Sequence, residues 1–80
     1  MYAVYVIRSL SKHFIYVGFT NNLQKRLSDH NNGYNRSTKP YAPFETIYVE
    51  HVDDRLQARK RELYLKSEHG KTFLNHRLGL

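Results

Sequence analysis

The sequence predicts an α+β fold, a three-stranded antiparallel sheet flanked by three helices in the order β-β-α-β-α-α. Three observations lead there. Two short runs rich in β-branched and aromatic residues are separated by a polar turn, as in a hairpin. Two later runs carry capping residues and helical spacing of side chains, and a third strand-like run lies between them. The chain of 80 residues is read as one domain, 1–80. A domain this short buries only about 60% of its unfolded surface, so its core is thin.

Tyr2 to Ile7 reads as a strand with apolar groups on both faces. Ser9-Leu10-Ser11-Lys12-His13 is polar enough to turn, and Phe14-Ile15-Tyr16-Val17 forms the second strand, making residues 2–18 an antiparallel hairpin. Gly18 ends it and permits a close approach or a sharp turn. Thr20 or Asn21 caps the first helix, in which Leu23 and Leu27 face the core while Arg26 and His30 share a neighbouring face. Asn31-Asn32-Gly33 stops it. Residues 34–43 form a basic loop stiffened by Pro40 and Pro43, and Phe44 to Val49 is the third strand.

Asp53 or Asp54 caps a second helix running to about Ser67, with Leu56, Ala58, Leu63 and Tyr64 turned inward. Arg55, Arg59, Glu62 and Lys66 then share one face. Gly70 breaks the run, and Lys71 to Leu78 is a short third helix anchored by Phe73, Leu74 and Leu78.

Thirteen Lys+Arg against 7 Asp+Glu leave a formal charge of +6, which favours a polyanionic partner because each neutralised phosphate releases condensed counterions. Tyrosines and phenylalanines interleave with the cations and suit contact with sugars and bases. The absence of cysteine excludes a disulfide framework and a thiolate zinc site, and it fits a reducing compartment. The longest apolar run, Ala3 to Ile7, is too short to span a membrane, and no signal-peptide pattern precedes it. A cytoplasmic protein is expected. Gly70-Lys71-Thr72 imitates the end of a phosphate-binding loop, but Leu65 stands where that loop needs glycine.

Candidate chemistry gathers in few residues. Tyr5 and Tyr16, on paired strands, can bring two hydroxyls to one edge. A phenol with its ordinary pKa near 10 acts as a base only if a neighbour shares its proton. Arg26 can clamp a phosphate in a fork geometry and stabilise charge on transferring oxygens, and His30 lies one turn further on. Glu62 sits between Arg59 and Lys66, where it can make ordinary helical ion pairs. It can equally be the sole protein ligand of a magnesium ion, which keeps most of its waters.

Ala3-Val4-Tyr5, Tyr16-Val17-Gly18, Arg26 within Thr20 to His30, the segment Ala58 to Ser67 around Glu62, and the tail Gly70 to Leu74 occur in one order across nearly the whole chain. In that set the chain resembles a GIY-YIG nuclease domain, and the small stand-alone bacterial members in particular, which are related to the incision domain of an excision-repair subunit. Ala3 departs from the motif glycine, and Phe19 stands where some repair members have lysine. The resemblance implies a three-stranded antiparallel sheet flanked by helices. It further implies one divalent metal, Mg²⁺ or Mn²⁺, on Glu62, with Arg26 stabilising the phosphorane. Tyr5 or Tyr16 would activate the attacking water and His30 would relay or orient a proton. Gly18 would keep the backbone close to the phosphate. Asn75 is a candidate equivalent of an asparagine that helps form the site in several members.

The resulting expectation is a metal-dependent DNA endonuclease acting in repair or recombination. DNA phosphates would meet Lys25, Arg36, Ser37, Thr38, Lys39, Arg59, Lys66 and Lys71, giving a preference for structure rather than sequence. A homodimer is allowed and a membrane partner is not expected. The competing readings are a nucleic-acid-binding module that keeps the scaffold without cutting, and a partner-docking subunit.

Overall fold

Strand β1 (Tyr2–Ser9) takes the centre of the sheet because its side chains are apolar on both faces. The computed structural model describes residues 1–79 and orders the strands β2-β1-β3, with β2 at Ile15–Thr20 and β3 at Phe44–Val52. Both pairings are antiparallel, so the fold class read from the sequence is the one observed. Alternation along β1 sends Val4 and Val6 to one side and Tyr5 and Ile7 to the other. Val4 and Val6 pack with Val17, Ala58, Leu65 and Leu74, under helices α2 (Arg55–Lys66) and α3 (Glu68–Leu78). Tyr5 and Ile7 pack with Phe44 in a second core, which Leu23 and Leu27 of helix α1 (Leu23–Asn31) help to cover.

Strands β1 and β2 run on to Ser9 and Thr20, so Gly18 lies inside a strand and does not end it, and local structure departs from the sequence reading at four further places. Helix α1 is capped by Asn22, whose side chain accepts from the Lys25 amide, while Thr20 Oγ1 instead accepts from the Asn22 amide at 3.0 Å. Strand β3 runs on to Val52, with a bulge opposite Val6 and Ile7. The basic loop is not open: it contains a 3₁₀ turn at Lys39–Tyr41 and is tied down where Asn31 Oδ1 accepts from the Phe44 amide at 2.7 Å.

The fourth departure is the phase of α2. Its buried residues are Ala58, Glu62 and Leu65, whereas Leu56 and Leu63 are 65% and 52% exposed and Tyr64 also faces out. The physical cause lies in the next helix. Gly70 does not break the chain but sits buried in the first turn of α3, against the Tyr64 carbonyl and the Leu65 backbone. The break falls at Ser67, whose Oγ accepts from the Gly70 amide at 3.2 Å and caps α3. This close crossing fixes Leu65 as the inward residue, and hydrophobicity alone does not reveal it.

A Cβ at residue 70 would stand 2.5 Å from Leu65 Cα. Gly70→Ala is therefore expected to lower stability by about 3 kcal/mol or more, the upper range for overpacking. Gly79→Ala, at φ +68 but in open space, should lose only about 1–2 kcal/mol through its left-handed backbone. Urea denaturation of the two variants checks this, and equal losses would rule out the close crossing as the cause.

Candidate active site

The site begins with a missing side chain. Tyr5 pairs with Gly18 across β1 and β2, so its ring lies over bare backbone. A Cβ at residue 18 would come within 2.6 Å of Tyr5 Oη and 3.0 Å of Tyr16 Cε2. Laid flat in this way, the Tyr5 phenol reaches His30, with Oη 2.9 Å from Nε2. The other ring nitrogen, Nδ1, is 2.8 Å from Thr38 Oγ1. His30 is fully buried among three aromatic rings, at centroid distances of 5.9 Å from Tyr5, 5.0 Å from Tyr16 and 5.9 Å from Phe44. A histidine on a helix whose apolar positions are only Leu23 and Leu27 thus becomes the best-anchored polar group of the site.

Electrostatics sharpen the roles. Burial pushes the Tyr5 phenol up to about 12, against the pull of the Arg26 guanidinium; Tyr16 and Glu62 add to the rise. Burial also holds His30 below its ordinary value, and the positive charge of Arg26 adds to that while Asp29 opposes it. Burial works against the charge on Arg26 as well, but its attraction to the phenols of Tyr5 and Tyr16 outweighs this and the guanidinium is held more firmly protonated. At neutral pH the cluster therefore contains a neutral phenol and a neutral imidazole beside a fixed cation.

Glu62 enters from the opposite helix. Its carboxylate is almost fully buried, 3.4 Å from Arg59 Nη1 and 3.4 Å from Lys66 Nζ. The same Lys66 ammonium stands 5.9 Å from the Tyr16 ring centroid, which places Glu62 beside the tyrosines at the β2 edge. No group of three or more His, Cys, Asp or Glu comes together among the described residues. The donor set therefore does not suit a closed protein cage. It suits a cation that takes one carboxylate and completes its shell with water and phosphate oxygens.

Tyr5, Tyr16, Arg26, His30 and Glu62 are thus brought to one edge of the sheet, with Arg59 and Lys66 flanking Glu62. Other candidates are dispersed. Lys25 reaches Asp29 at 3.1 Å and is otherwise in solvent. Arg36, Ser37 and Lys39 are exposed on the loop, and Lys71 stands beside Glu68 at 3.8 Å. Two expectations need correction. Thr38 is fully buried and holds His30, so it is not available to a phosphate. Gly18 is buried beneath Tyr5, so it makes room for a phenol instead of admitting a nucleic-acid backbone. Neither role has a sequence signal, since each depends on what lies across the fold.

A family model described as the GIY-YIG catalytic domain matches residues 1–76. A UPF0213 protein of Clostridium perfringens is 36% identical over 64 residues, which covers 79% of this chain and 68% of the relative. One from Oceanobacillus iheyensis is 34% identical over 64 residues, covering 79% and 73%. One from Syntrophus aciditrophicus is 37% identical over 65 residues, covering 79% and 74%. No solved structure matches the chain.

Two outcomes follow for the buried histidine. As pH falls below about 6.5, the unfolded chain takes up a proton that folded His30 resists, so the unfolded state binds more protons and stability drops. Urea denaturation between about pH 7.5 and about pH 5 should show this fall, and His30→Gln should make it shallower; an unchanged slope would contradict a buried neutral imidazole. Separately, Thr38→Val leaves Nδ1 without its partner and should cost about 1–3 kcal/mol, while Thr38→Ser should recover most of it in the same assay.

Proposed function

The chain belongs to the GIY-YIG catalytic domain family, and from that premise we propose that it is a divalent-metal-dependent DNA endonuclease. The observation that supports this most is the convergence of two phenols, a guanidinium, a buried imidazole and a carboxylate at one sheet edge. Glu62 would hold one Mg²⁺ or Mn²⁺. When bound, such a cation neutralises charge on the phosphodiester oxygens and lowers the barrier to attack by water.

The remaining steps fall to the chain itself. Arg26 binds the scissile phosphate and meets the charge that develops on its non-bridging oxygens. Tyr5 Oη accepts a proton from the attacking water as its own proton passes to His30 Nε2, 2.9 Å away. The water oxygen bonds to phosphorus, the bond to the 3′-oxygen breaks, and that oxygen is protonated from solvent, leaving a 5′-phosphate. Thr38 fixes the imidazole so that Nε2 faces Tyr5. Tyr5 is favoured over Tyr16 as the proton carrier because only Tyr5 hydrogen-bonds the histidine. Tyr16 walls the cluster and orients the water. Lys25, Arg36, Ser37, Lys39, Arg59, Lys66 and Lys71 would hold flanking phosphates, so DNA structure matters more than sequence. Repair or recombination in the cytoplasm is the setting that suits such an activity. A homodimer has no observation behind it and forms no part of this reading.

One observation favours the second reading, a binding module that does not cut: both oxygens of Glu62 already face cations. Supercoiled plasmid and branched oligonucleotides, incubated with Mg²⁺ or Mn²⁺, separate the two. The enzyme should nick them only with metal. Glu62→Ala should abolish cutting, and Arg26→Ala should slow it by about 10²–10³-fold, both with the fold intact by circular dichroism. Cutting by Glu62→Ala at the wild-type rate would remove the metal assignment. Salt-sensitive binding with no nicks by the wild type would establish the binding module instead.

A further inference from the structure

Strand β2 is an edge strand: β1 pairs with one side of it and, among the described residues, no strand pairs with the other. Beside it is a cavity of about 460 Å³, floored by the buried Val17, Leu65 and Leu74 and lined by the more accessible Phe14, Ile15 and Tyr16. Lys66, Lys71 and Asn75 complete its lining. A second cavity, of about 510 Å³, shares Phe14, Ile15 and Asn75 with the first and adds Arg8, Lys12 and His13. The two linings adjoin at these shared residues and, taken together as one groove, reach from Tyr16 and Lys66 to Lys12 and His13 of the β1–β2 turn. Each part is within the usual size of a ligand pocket, about 300–1,000 Å³.

The lining combines two chemistries that seldom coincide on a surface. Its wall is aliphatic and aromatic, and its other charged neighbours are mostly cations. Arg8 is paired with Glu45, and the nearest acid to Lys71 is the solvent-exposed Glu68 at 3.8 Å. Lys12 lies over the Tyr41 ring, 5.5 Å from its centroid, and that ring stacks on Phe14 at 3.8 Å. A cationic margin along an apolar wall suits a polyanion that also carries flat apolar faces.

We propose that this groove receives unpaired nucleotides next to the scissile phosphate. Their bases lie against Phe14, Ile15 and the Tyr16 ring, and their phosphates meet Lys66, Lys71 and Lys12. The proposal rests on the nuclease reading and names its substrate class: DNA with a single-stranded segment at the cut. Paired duplex does not fit, because its base faces are already stacked and only its phosphates would be available, leaving the apolar wall uncovered. An unpaired base has a free face of the kind that binds such platforms irrespective of sequence. Continuity with Tyr16 puts the first base in the groove beside the phosphate that Arg26 would hold.

The test uses the full chain carrying Glu62→Gln, without metal, so that binding is read apart from cutting. Fluorescence anisotropy compares a short single-stranded oligonucleotide, the same strand in a blunt duplex, and the single strand with one base removed. The single strand should bind more tightly than the duplex, and removing one base should weaken it about tenfold. Ile15→Asp, at a wall position 43% exposed and so tolerant of substitution, should weaken single-strand binding about as much and leave the duplex nearly unchanged. Equal binding of the two forms, or an Ile15→Asp effect that is absent or shared by both, overturns the proposal. If the wild type cuts duplex and Ile15→Asp changes nothing, the groove fails and the nuclease stands. Selective single-strand binding without cutting by the wild type leaves the groove and removes the nuclease.

Discussion

The constraint on which the rest depends is the clearance above Gly18. A central strand normally buries its side chains between layers, out of reach of chemistry at an edge. Tyr5 escapes that fate because the residue across from it has no Cβ, so its ring can lie across β2 and deliver a hydroxyl to the sheet margin. From that hydroxyl the order propagates. It hydrogen-bonds His30, His30 hydrogen-bonds Thr38, and Thr38 lies in the loop whose far end enters β3 at Phe44. Asn31 closes the circuit by accepting from the Phe44 amide. One absent methyl group thus couples the hairpin, the first helix and the loop into a unit, and a substitution there would disturb geometry at several points together.

The electrostatic design follows from that burial. Four groups that could ionise or already carry charge sit close together, and water is largely excluded from two of them. Burial and the Arg26 cation act in the same direction on His30, both disfavouring the imidazolium. On Tyr5 they act in opposite directions, and burial prevails. The pair consequently rests with the proton held on the phenol and the imidazole neutral. On the proposed reading, a phosphodiester bound at Arg26 would offset the cation's repulsion, which acts with burial to keep His30 neutral. Substrate binding and proton acceptance would then be coupled through a single guanidinium.

How much of this was legible in the sequence depended on how local its cause was. The two apolar faces of β1, a cap at Asp53 or Asp54 and the four-residue step from Arg26 to His30 are local, and the structure has each, with Asp54 as the cap. The phase of α2 was not, because Leu56 and Leu63 are the more hydrophobic choices and yet face solvent. The crossing at Gly70 selects Ala58, Glu62 and Leu65 instead, a tertiary decision that overrides side-chain hydropathy. Thr38 was misread for a related reason: in a run of Arg, Ser and Lys it resembles another exposed phosphate contact, and only the fold of the loop turns it inward. Glu62 was legible as a residue of interest but ambiguous in role, since the same cations serve an idle ion pair and a loaded site equally well.

The distances around Glu62 bear on that ambiguity. Strong charge-assisted hydrogen bonds lie near 2.7–2.9 Å, as the Arg61 Nε to Glu50 Oε1 pair does at 2.7 Å. Both contacts of Glu62 are longer, at 3.4 Å, and both cations are on side chains about half exposed to solvent. The carboxylate is thus compensated without being consumed. On the proposed reading, phosphates entering along the β2 edge compete for Arg59 and Lys66, and each cation drawn to the strand leaves a carboxylate lone pair open. Glu62 would then be free to hold a divalent ion whose remaining positions phosphate oxygens and water would fill. A site with one protein ligand can then assemble on its substrate, with no need for the closed acidic cage that this basic chain lacks among its described residues.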